Sequence, residues 1–415
     1  YYAGTGLDEK AADAQAGSIW SLTLTIAGLV VAFGAPFMGA LADRTQRRMP
    51  WLLAFSVVYV IGAGALWLTE PDGSNLIFAL FMFGLGFVAA EYALIFTNAQ
   101  LPGLTSREEI GRVSGSGFAF GYLGGLIALV LVLLLLVEQS TGKTLIGLDP
   151  GFGILNAEAQ EGTRAAGPFV AIWFAIFMVP YFLWVREEPR DFLATKAHSP
   201  FAKVKASLLA LRGRPSFASF LAGSMLYRDA LNGLYTFGGT YALLVLNWEI
   251  TQIGAFGIIS VISAAALSWL GGKLDRRYGP KPVVICAILL LIAVCITVAG
   301  MTRDAVFGVP LAEGSSLPDT IFMACGVMIG GLGGTLQAAS RSLMVRHTDE
   351  GSETESFGLY GLAGRATSFL APALIGAVTV ITGDVRNGVL PLILLFLLGL
   401  LLLIWTKPEG DGERP

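Results

Sequence analysis

GALADRTQRR (residues 39–48) and GGKLDRRYGPK (residues 271–281) are two copies of one short pattern, and this repetition decides the predicted fold. Each copy ends one long apolar stretch and leads directly into another. The identical positions lie 232 residues apart and form three pairs: Gly39 with Gly271, Asp43 with Asp275, and Arg44 with Arg276. A repeat on this scale predicts that two halves of the chain share one architecture.

The composition indicates that this architecture lies in a membrane. Hydrophobic residues make up 54% of the 415 residues and charged residues only 14%, whereas about 25% of the residues in a soluble domain are charged. A helix that crosses a bilayer needs about 20 mostly apolar residues. Eleven stretches have about this length, which predicts an all-α polytopic membrane protein: residues 18–41, 51–69, 76–100, 113–137, 165–185, 215–245, 251–270, 282–301, 318–340, 355–382 and 386–405.

The repeat also predicts how the chain divides. Two helical bundles occupy residues 1–185 and 215–415, and a basic, proline-containing linker occupies residues 186–214 between them. In the second bundle a helix precedes the helix that carries the pattern, whereas only a polar stretch precedes residues 18–41. Symmetry therefore predicts a twelfth helix before Tyr1, so that each bundle has six helices.

The lysines and arginines predict an orientation in the membrane. Twenty of the 27 fall on the side of residues 42–50, five fall on the other side, and two lie within apolar stretches. Because basic loops stay in the cytoplasm, this side, including the linker, is predicted to be cytoplasmic in a bacterial plasma membrane. The net charge of −3 argues against nucleic acid as a partner.

The pattern G-x-x-x-D-R-x-x-R-R of residues 39–48 resembles the signature loop of the major facilitator superfamily. Three segments resemble its Atg22-like branch: EYALIFTNAQLPGLTSREEIGRVSGSGFAFGYLGG (91–125), SRSLMVRHTDEGSETESFGLYGLAGRATSFLAP (340–372) and the Y-x-D of Tyr227–Asp229. The resemblance implies two six-helix bundles and a secondary transporter that works by alternating access, not an enzyme. It also implies a small polar substrate, first an amino acid or similar zwitterion, moved by efflux. Coupling to protons is predicted from the acidic residues within the apolar stretches, which are described below. We expect a monomer.

The two copies of the pattern are predicted to form gates on the cytoplasmic side. An aspartate at a helix end can pair with an arginine or with the N-terminus of a neighbouring helix. Opening of the cytoplasmic side would break such contacts. The predicted gating residues are Asp43, Arg44, Arg48, Asp275 and Arg276.

Glu91 lies near the middle of the apolar stretch 76–100, where a charged carboxylate costs about 2.5–3.5 kcal/mol. We predict that Glu91 carries the coupled proton or cation. Tyr92 and Asn98 are predicted to bind substrate, and Asn98 shares a helix face with Glu91 because the two are seven residues apart. The alternative is a structural glutamate bonded within the protein.

Arg228 and Asp229 lie close to the middle of the apolar stretch 215–245. An arginine at that depth could hold a carboxylate or phosphate. Asp229 could bind an amine, a proton or a cation, and we predict that it carries the coupled proton or cation together with Glu91. Tyr227 and Asn232 complete this predicted substrate site, because Asn232 lies one turn after Arg228 on the same face. The alternative is a structural ion pair.

Three further arginine and glutamine positions are weaker candidates. Gln337 and Arg341 are four residues apart near a predicted helix end, and Gln337 is predicted to bind substrate. Arg365 is also predicted to bind substrate, with pairing to Glu355 as the alternative. Close helix packing is predicted for the glycines of a GxxxGxxxG pattern: Gly117, Gly121 and Gly125.

No pattern in the chain predicts a cofactor or a metal. The glycines of residues 330–334 lack the Gly-Lys-Ser/Thr that ends a phosphate-binding loop. The three cysteines fit neither a disulfide framework nor a zinc site. Three alternative functions stay open: a lipid carrier, a transport-inactive assembly factor on the same fold, and a cation-coupled sugar carrier. The sugar carrier is considered because RTQRRMPWLL (44–53) resembles glycoside–cation symporters.

Overall fold

The computed structural model describes residues 9–45, 47–187 and 200–411. Most of the predicted linker, residues 188–199, lies outside the described residues. The described residues form fourteen α-helices: α1 (Glu9–Thr45), α2 (Met49–Ala65), α3 (Leu76–Ala99), α4 (Leu101–Leu104), α5 (Ile110–Leu135), α6 (Glu161–Trp184), α7 (Pro200–Ala210), α8 (Pro215–Leu244), α9 (Ile250–Tyr278), α10 (Pro280–Ala299), α11 (Leu317–Arg346), α12 (Glu353–Ala366), α13 (Leu370–Thr382) and α14 (Leu390–Leu403).

Short elements connect some of these helices. Turns of 3₁₀-helix follow or precede helices at Leu66–Leu68, Pro150–Gly153, Leu211–Gly213 and Val385–Val389. A two-stranded antiparallel ribbon of β1 (Ala305–Val306) and β2 (Val309–Pro310) lies between α10 and α11. The architecture is therefore all-α, as predicted.

Ten segments of the described residues are long and apolar enough to cross a membrane. The sequence predicts eleven helices, and the one that is not apolar enough to be counted among these ten is α8, which the structure places at the predicted stretch 215–245. Helix α8 has 30 residues, which is ample length. Its hydropathy is too low because it carries Arg228, Asp229 and several hydroxyl and amide side chains. The low hydropathy of α8 is informative, because a polar helix among apolar membrane helices indicates a functional or structural role for its polar side chains.

The predicted stretch 355–382 forms one candidate membrane span, Glu353–Thr382, but the structure divides it into the helices α12 and α13. The break covers Thr367 to Phe369. Pro372 favours it, because in an unbroken helix its ring would clash with the carbonyl of Ser368. A proline in the first turn of a helix is tolerated, because the N–H groups of that turn make no hydrogen bond within the helix.

The described residues group into two compact units. The first contains those of Tyr1–Ala99 and Gly125–Phe201, and the second contains those of Gln100–Gly124 and Ala202–Pro415. Helix α5 thus contributes its residues up to Gly124 to the second unit. The division at 1–185 and 215–415 into two six-helix bundles stays a prediction.

In the first unit, α2 packs against α3 and α6, and α3 also packs against α1. Tyr92 of α3 is buried there, and its hydroxyl donates a hydrogen bond to the carbonyl of Val30 on α1 at 2.8 Å. Phe55 of α2 meets the Tyr92 ring edge-on, with ring centroids 5.0 Å apart. These contacts make Tyr92 part of the packing of three helices.

In the second unit, α9 packs along α11, α10 along α11, and α8 along α14. The first half of α5 crosses α9 at two glycines. A β-carbon added to Gly115 would lie 2.5 Å from the carbonyl oxygen of Ser268 and 2.6 Å from Cα of Gly272. Only glycine allows the two backbones to approach this closely.

The predicted packing role of the GxxxGxxxG pattern in α5 is not borne out at its second and third glycines. A β-carbon on Gly121 or Gly125 would meet no described atom within 4 Å. One on Gly117 would meet only the guanidinium of Arg341, at 3.2 Å. The glycines that permit close approach, Gly111 and Gly115, lie earlier in α5, because α9 crosses it nearer to its N-terminus.

Candidate functional site

Helix α8 carries a polar stripe on its exposed face. Between Ser216 and Thr240 the exposed side chains are all polar, and half-buried Arg228 continues their line toward the start of the helix. The spacing is helical, so these residues share one face. We call them the α8 stripe: Arg228, Asn232, Tyr235, Thr236 and Thr240. A polar face on a helix within a membrane indicates contact with water or solute rather than with lipid.

Arg228 lies against α12. Its guanidinium stacks over the ring of Tyr360, with Cζ 4.2 Å from the ring centroid, and Nη1 donates to the carbonyl oxygen of Tyr360 at 3.0 Å. Gly364 leaves the space for it, because a β-carbon there would lie 2.5 Å from Nη2. Within the described residues of the second unit, no carboxylate pairs with Arg228.

Tyr227 is fully buried on the opposite side of α8. Its hydroxyl lies 2.5 Å from Oγ of Ser340 on α11, and Ser340 in turn lies 2.8 Å from the hydroxyl of Tyr360. Tyr227 therefore holds Tyr360 in place under Arg228 rather than lining the stripe. Its predicted substrate contact stays a prediction.

Asp229 points toward the break between α12 and α13. It is buried, and Oδ2 accepts a hydrogen bond from the backbone N–H of Ala371 at 3.1 Å. Oδ1 is buried without a hydrogen-bond partner among the described residues. A carboxylate at this position stabilises the N-terminus of α13, where unpaired N–H groups carry partial positive charge. Adjacent Arg228 and Asp229 thus contact different elements.

A second cluster joins α5, α8 and α11. The amide nitrogen of Gln337 donates to the hydroxyl of Tyr122 at 3.2 Å, and the hydroxyl of Tyr235 from the α8 stripe lies near the same two groups. We call Tyr122, Tyr235 and Gln337 the hydroxyl–amide cluster. Gln337 was predicted from the sequence, whereas Tyr122 and Tyr235 were not.

Arg341 lies one turn after Gln337 on α11. Its Nε donates to Oγ of Ser114 at 2.9 Å and its Nη2 to the carbonyl oxygen of Ser114 at 2.9 Å. The guanidinium also stacks over Phe118, with Cζ 4.6 Å from the ring centroid. Arg341 thus joins α11 to α5.

The remaining predicted substrate residues lie elsewhere. Arg365 occupies the last turn of α12, half-buried, and its carbonyl accepts from Ser368 at the helix break. In the first unit, Glu91 and Asn98 lie half-buried on one face of α3. The hydroxyl of Tyr92 donates its hydrogen bond to Val30 of α1. Around α8, the residues that the sequence analysis missed are the tyrosines Tyr122, Tyr235 and Tyr360. Of these, Tyr122 and Tyr360 lie within the segments 91–125 and 340–372 that resemble the Atg22-like branch.

In the first unit, residues of the first copy of the repeated pattern contact one another and two other parts of the chain. Nη2 of Arg48 lies 3.6 Å from Oδ1 of buried Asp43, and Nη1 donates to the carbonyl of Ala99 at 3.2 Å. The carboxylate of Glu187 accepts from the backbone N–H of Arg48 at 2.8 and 2.9 Å. Arg44 is exposed. The sequence analysis had no signal for Glu187, which is 139 residues away.

The second copy contacts the start of α5. Asp275 is buried against Gly111, where an added β-carbon would lie 2.4 Å from its carboxyl carbon. Arg276 extends outward, and its Nε lies 2.7 Å from Oε1 of Glu109. The aspartate therefore faces the N-terminal turn of α5, where a negative charge is favoured. The described residues contain no group of three or more His, Cys, Asp or Glu side chains that could hold a metal ion.

The chain is similar to several known proteins. A family model described as "Vacuole effluxer Atg22 like" matches residues 10–411. An uncharacterised MFS-type transporter of Bacillus subtilis, YxiO, is 21% identical over all of this chain and 90% of its own length. Autophagy-related protein 22-1 of Aspergillus fumigatus is 24% identical over 73% of this chain. The chain spans about half the length of that fungal relative, 49%.

Solved structures with the same fold include two sugar symporters. The fucose:proton symporter of E. coli superposes with a TM-score of 0.70 at 14% identity, covering 94% of this chain and 92% of its own. A proton:xylose symporter superposes with a TM-score of 0.72 at 11% identity, covering 98% of this chain and 89% of its own. At such identities the likeness concerns the fold.

Proposed function

Because the chain belongs to the Atg22-like family of the major facilitator superfamily, we propose that it carries a small solute with a carboxylate group. An amino acid or similar zwitterion is the first candidate. The chain is a multi-pass integral membrane protein whose relatives are transporters and not enzymes. We also propose that transport is coupled to protons and that its direction is efflux.

The environment of Arg228 carries the proposal. A cationic side chain within a membrane helix is unfavourable by about 2.5–3.5 kcal/mol, and such residues usually face a partner or a solute pathway. Arg228 has an aromatic ring and a carbonyl as partners, but no carboxylate in its own unit. Its position on the α8 stripe leaves a solute carboxylate as a fitting counter-charge, bound by the planar guanidinium through two parallel hydrogen bonds.

The hydroxyl–amide cluster supplies the neutral part of the proposed site. Tyr235 belongs to the α8 stripe and therefore shares its face with Arg228. Hydroxyl and amide oxygens of Tyr122, Tyr235 and Gln337 can accept hydrogen bonds from an ammonium group. A zwitterion would thus place its carboxylate at Arg228 and its amine toward this cluster.

We further propose that Asp229 and Glu91 couple transport to protons. For Asp229 the coupling would act through α13, because protonation removes the negative charge that faces the N-terminus of that helix. The two copies of the repeated pattern would act as gates, through Asp43 and Arg48 in one unit and Asp275 and Arg276 in the other. The basic loops would face the cytoplasm of a bacterial cell.

Flux into proteoliposomes tests the substrate class. We expect purified protein to accumulate one or more radiolabelled amino acids, with uptake that depends on an imposed pH gradient and saturates with solute. Empty liposomes are the control. Uptake of a neutral sugar but of no carboxylate-bearing solute would overturn the proposal and favour the sugar carrier, for which the hydroxyl–amide cluster is the supporting feature. Absence of flux for every solute class would favour the assembly factor.

A further inference from the structure

Four basic side chains line an open surface pocket between the start of α5 and the end of α9. Arg112 comes from α5, and Lys273, Arg276 and Arg277 come from α9. All four are exposed. Among the described residues, no other side chain lines this pocket. We call these four residues the basic pocket.

The positive charges of the basic pocket are not balanced by carboxylates of the described residues. Glu109 is the carboxylate that contacts it, with Oε1 2.7 Å from Nε of Arg276 and Oε2 3.0 Å from Nε of Arg112. Among the described residues, neither Lys273 nor Arg277 pairs with a carboxylate. One negative charge thus faces four positive charges. Cations gathered this closely repel one another, so a bound anion would stabilise the pocket.

The surface of α9 beside the pocket is apolar. Ile262, Trp269 and Leu270 are 50%, 50% and 45% exposed. The ammonium of Lys273 lies 3.3 Å from the centre of the Trp269 ring. Tryptophan is enriched where the hydrocarbon core meets the headgroups, and lysine extends its charge from the apolar region toward that layer. The basic pocket therefore lies at headgroup depth.

We propose that the basic pocket binds the phosphate group of an anionic phospholipid. Phosphate oxygens can accept hydrogen bonds from arginines on both helices, and the acyl chains can cover the apolar surface of α9. Basic pockets between membrane helices bind such headgroups. A free phosphate ion matches the charges but leaves the apolar surface uncovered. The lipid bridges Arg112 to Arg276 and Arg277, and so strengthens the crossing of α5 and α9 at Gly115 and Gly272.

Thermal unfolding and native mass spectrometry of the purified protein in neutral detergent test this assignment. Phosphatidylglycerol should raise the Tm and remain bound in the mass spectrum, whereas phosphatidylcholine should do neither. In a Lys273→Gln/Arg277→Gln variant the affinity for phosphatidylglycerol should fall about fivefold for each charge removed. The exposed cations Lys205 and Arg212 provide a matched control. Their double glutamine variant should bind phosphatidylglycerol like the wild type.

A variant that is expected to bind the lipid more tightly tests the proposal even if the Lys273→Gln/Arg277→Gln variant does not fold. Glu109→Gln removes the carboxylate that competes with the headgroup, so the affinity for phosphatidylglycerol should rise. If the affinity for phosphatidylglycerol fell equally in the Lys205→Gln/Arg212→Gln control, the lipid would bind through general surface charge, and the proposal would be overturned. Saturable stabilisation by inorganic phosphate equal to that by the lipid would overturn it in favour of a free-anion site.

Discussion

Asp229 accepts a hydrogen bond from the backbone N–H of Ala371, Oδ2 to N 3.1 Å, although the two residues are 142 positions apart. The bond places a buried carboxylate at the first turn of α13. One side chain on α8 therefore stabilises the point at which a membrane segment is interrupted. A change in its charge would act first on α13.

Two replacements of Asp229 distinguish its structural role at the start of α13 from its proposed role in proton coupling. Asp229→Asn retains an oxygen that can accept from Ala371 but loses the charge, so we expect a folded protein whose flux no longer depends on the pH gradient. Asp229→Ala should also lose about 1 kcal/mol of stability, because a helix cap is removed. Flux and thermal unfolding measure the two effects. Unchanged gradient dependence in Asp229→Asn would exclude Asp229 as the coupling residue.

Glu91→Gln tests the other proposed coupling residue. The amide is similar in size but cannot carry a proton across the membrane, so we expect normal expression with loss of gradient-driven flux. Exchange of substrate without a gradient should persist, because exchange needs no net proton movement. Glu138→Gln, in the loop after α5, is the matched control. Wild-type flux in Glu91→Gln would show that Glu91 is structural.

Arg228→Lys tests substrate binding while retaining the positive charge. Lysine cannot stack as a planar group over Tyr360 or bind a carboxylate through two parallel hydrogen bonds. We expect the KM for the transported solute to rise tenfold or more, which corresponds to about 1.4 kcal/mol. Arg212→Lys, an exposed arginine of the same unit, should leave KM unchanged. If Arg228→Lys also transports with wild-type KM, the guanidinium does not bind substrate.

Gly115→Ala tests the crossing of α5 and α9. The added methyl group would lie 2.5 Å from the carbonyl oxygen of Ser268, so the helices must separate. Overpacking of this kind typically costs about 1–3 kcal/mol, and we expect a lower Tm. Gly121→Ala, six residues later where no described atom lies within 4 Å of the new carbon, is the control and should not lower the Tm. Equal Tm values for both variants would argue against the close crossing.

His347 predicts a pH dependence of stability. It follows α11, is buried, and has Nδ1 2.9 Å from the carbonyl of Leu343 and Nε2 2.8 Å from Oγ of Ser216. Burial lowers the pKa of His347 below its usual 6.5. The unfolded chain therefore binds a proton more readily than the folded one, and stability falls as the pH drops below about 6.5.

The measurement compares the Tm at pH 7.5 and pH 5 in the wild type and in His347→Gln. We expect a smaller loss of Tm in the variant, because the neutral imidazole is no longer there to protonate. His198, the other histidine of the chain, lies outside the described residues, and His198→Gln is the matched control. Identical pH dependence in all three proteins would contradict the assignment to His347.

The apolar stretches predicted most of the helices, but not the interruption of the segment 353–382. Pro372 was a visible signal for that break, whereas the hydrogen bond from Ala371 to Asp229 was not, because Ala371 and Asp229 lie on different helices. The GxxxGxxxG pattern of α5 illustrates the same difficulty. The spacing was correct for close packing, yet α9 crosses α5 at Gly111 and Gly115, since the crossing point depends on both helices.

The sequence by itself determined the membrane environment, the all-α class and the Atg22-like family, because apolar length and a duplicated loop are local features. It also placed Arg228 and Asn232 on one polar face, since helical periodicity needs no knowledge of neighbours. Only the tertiary structure decided that Arg228 meets Tyr360 and that Asp229 meets Ala371. A charge removed from water is stabilised by whichever groups surround it, and here those groups come from helices more than a hundred residues away.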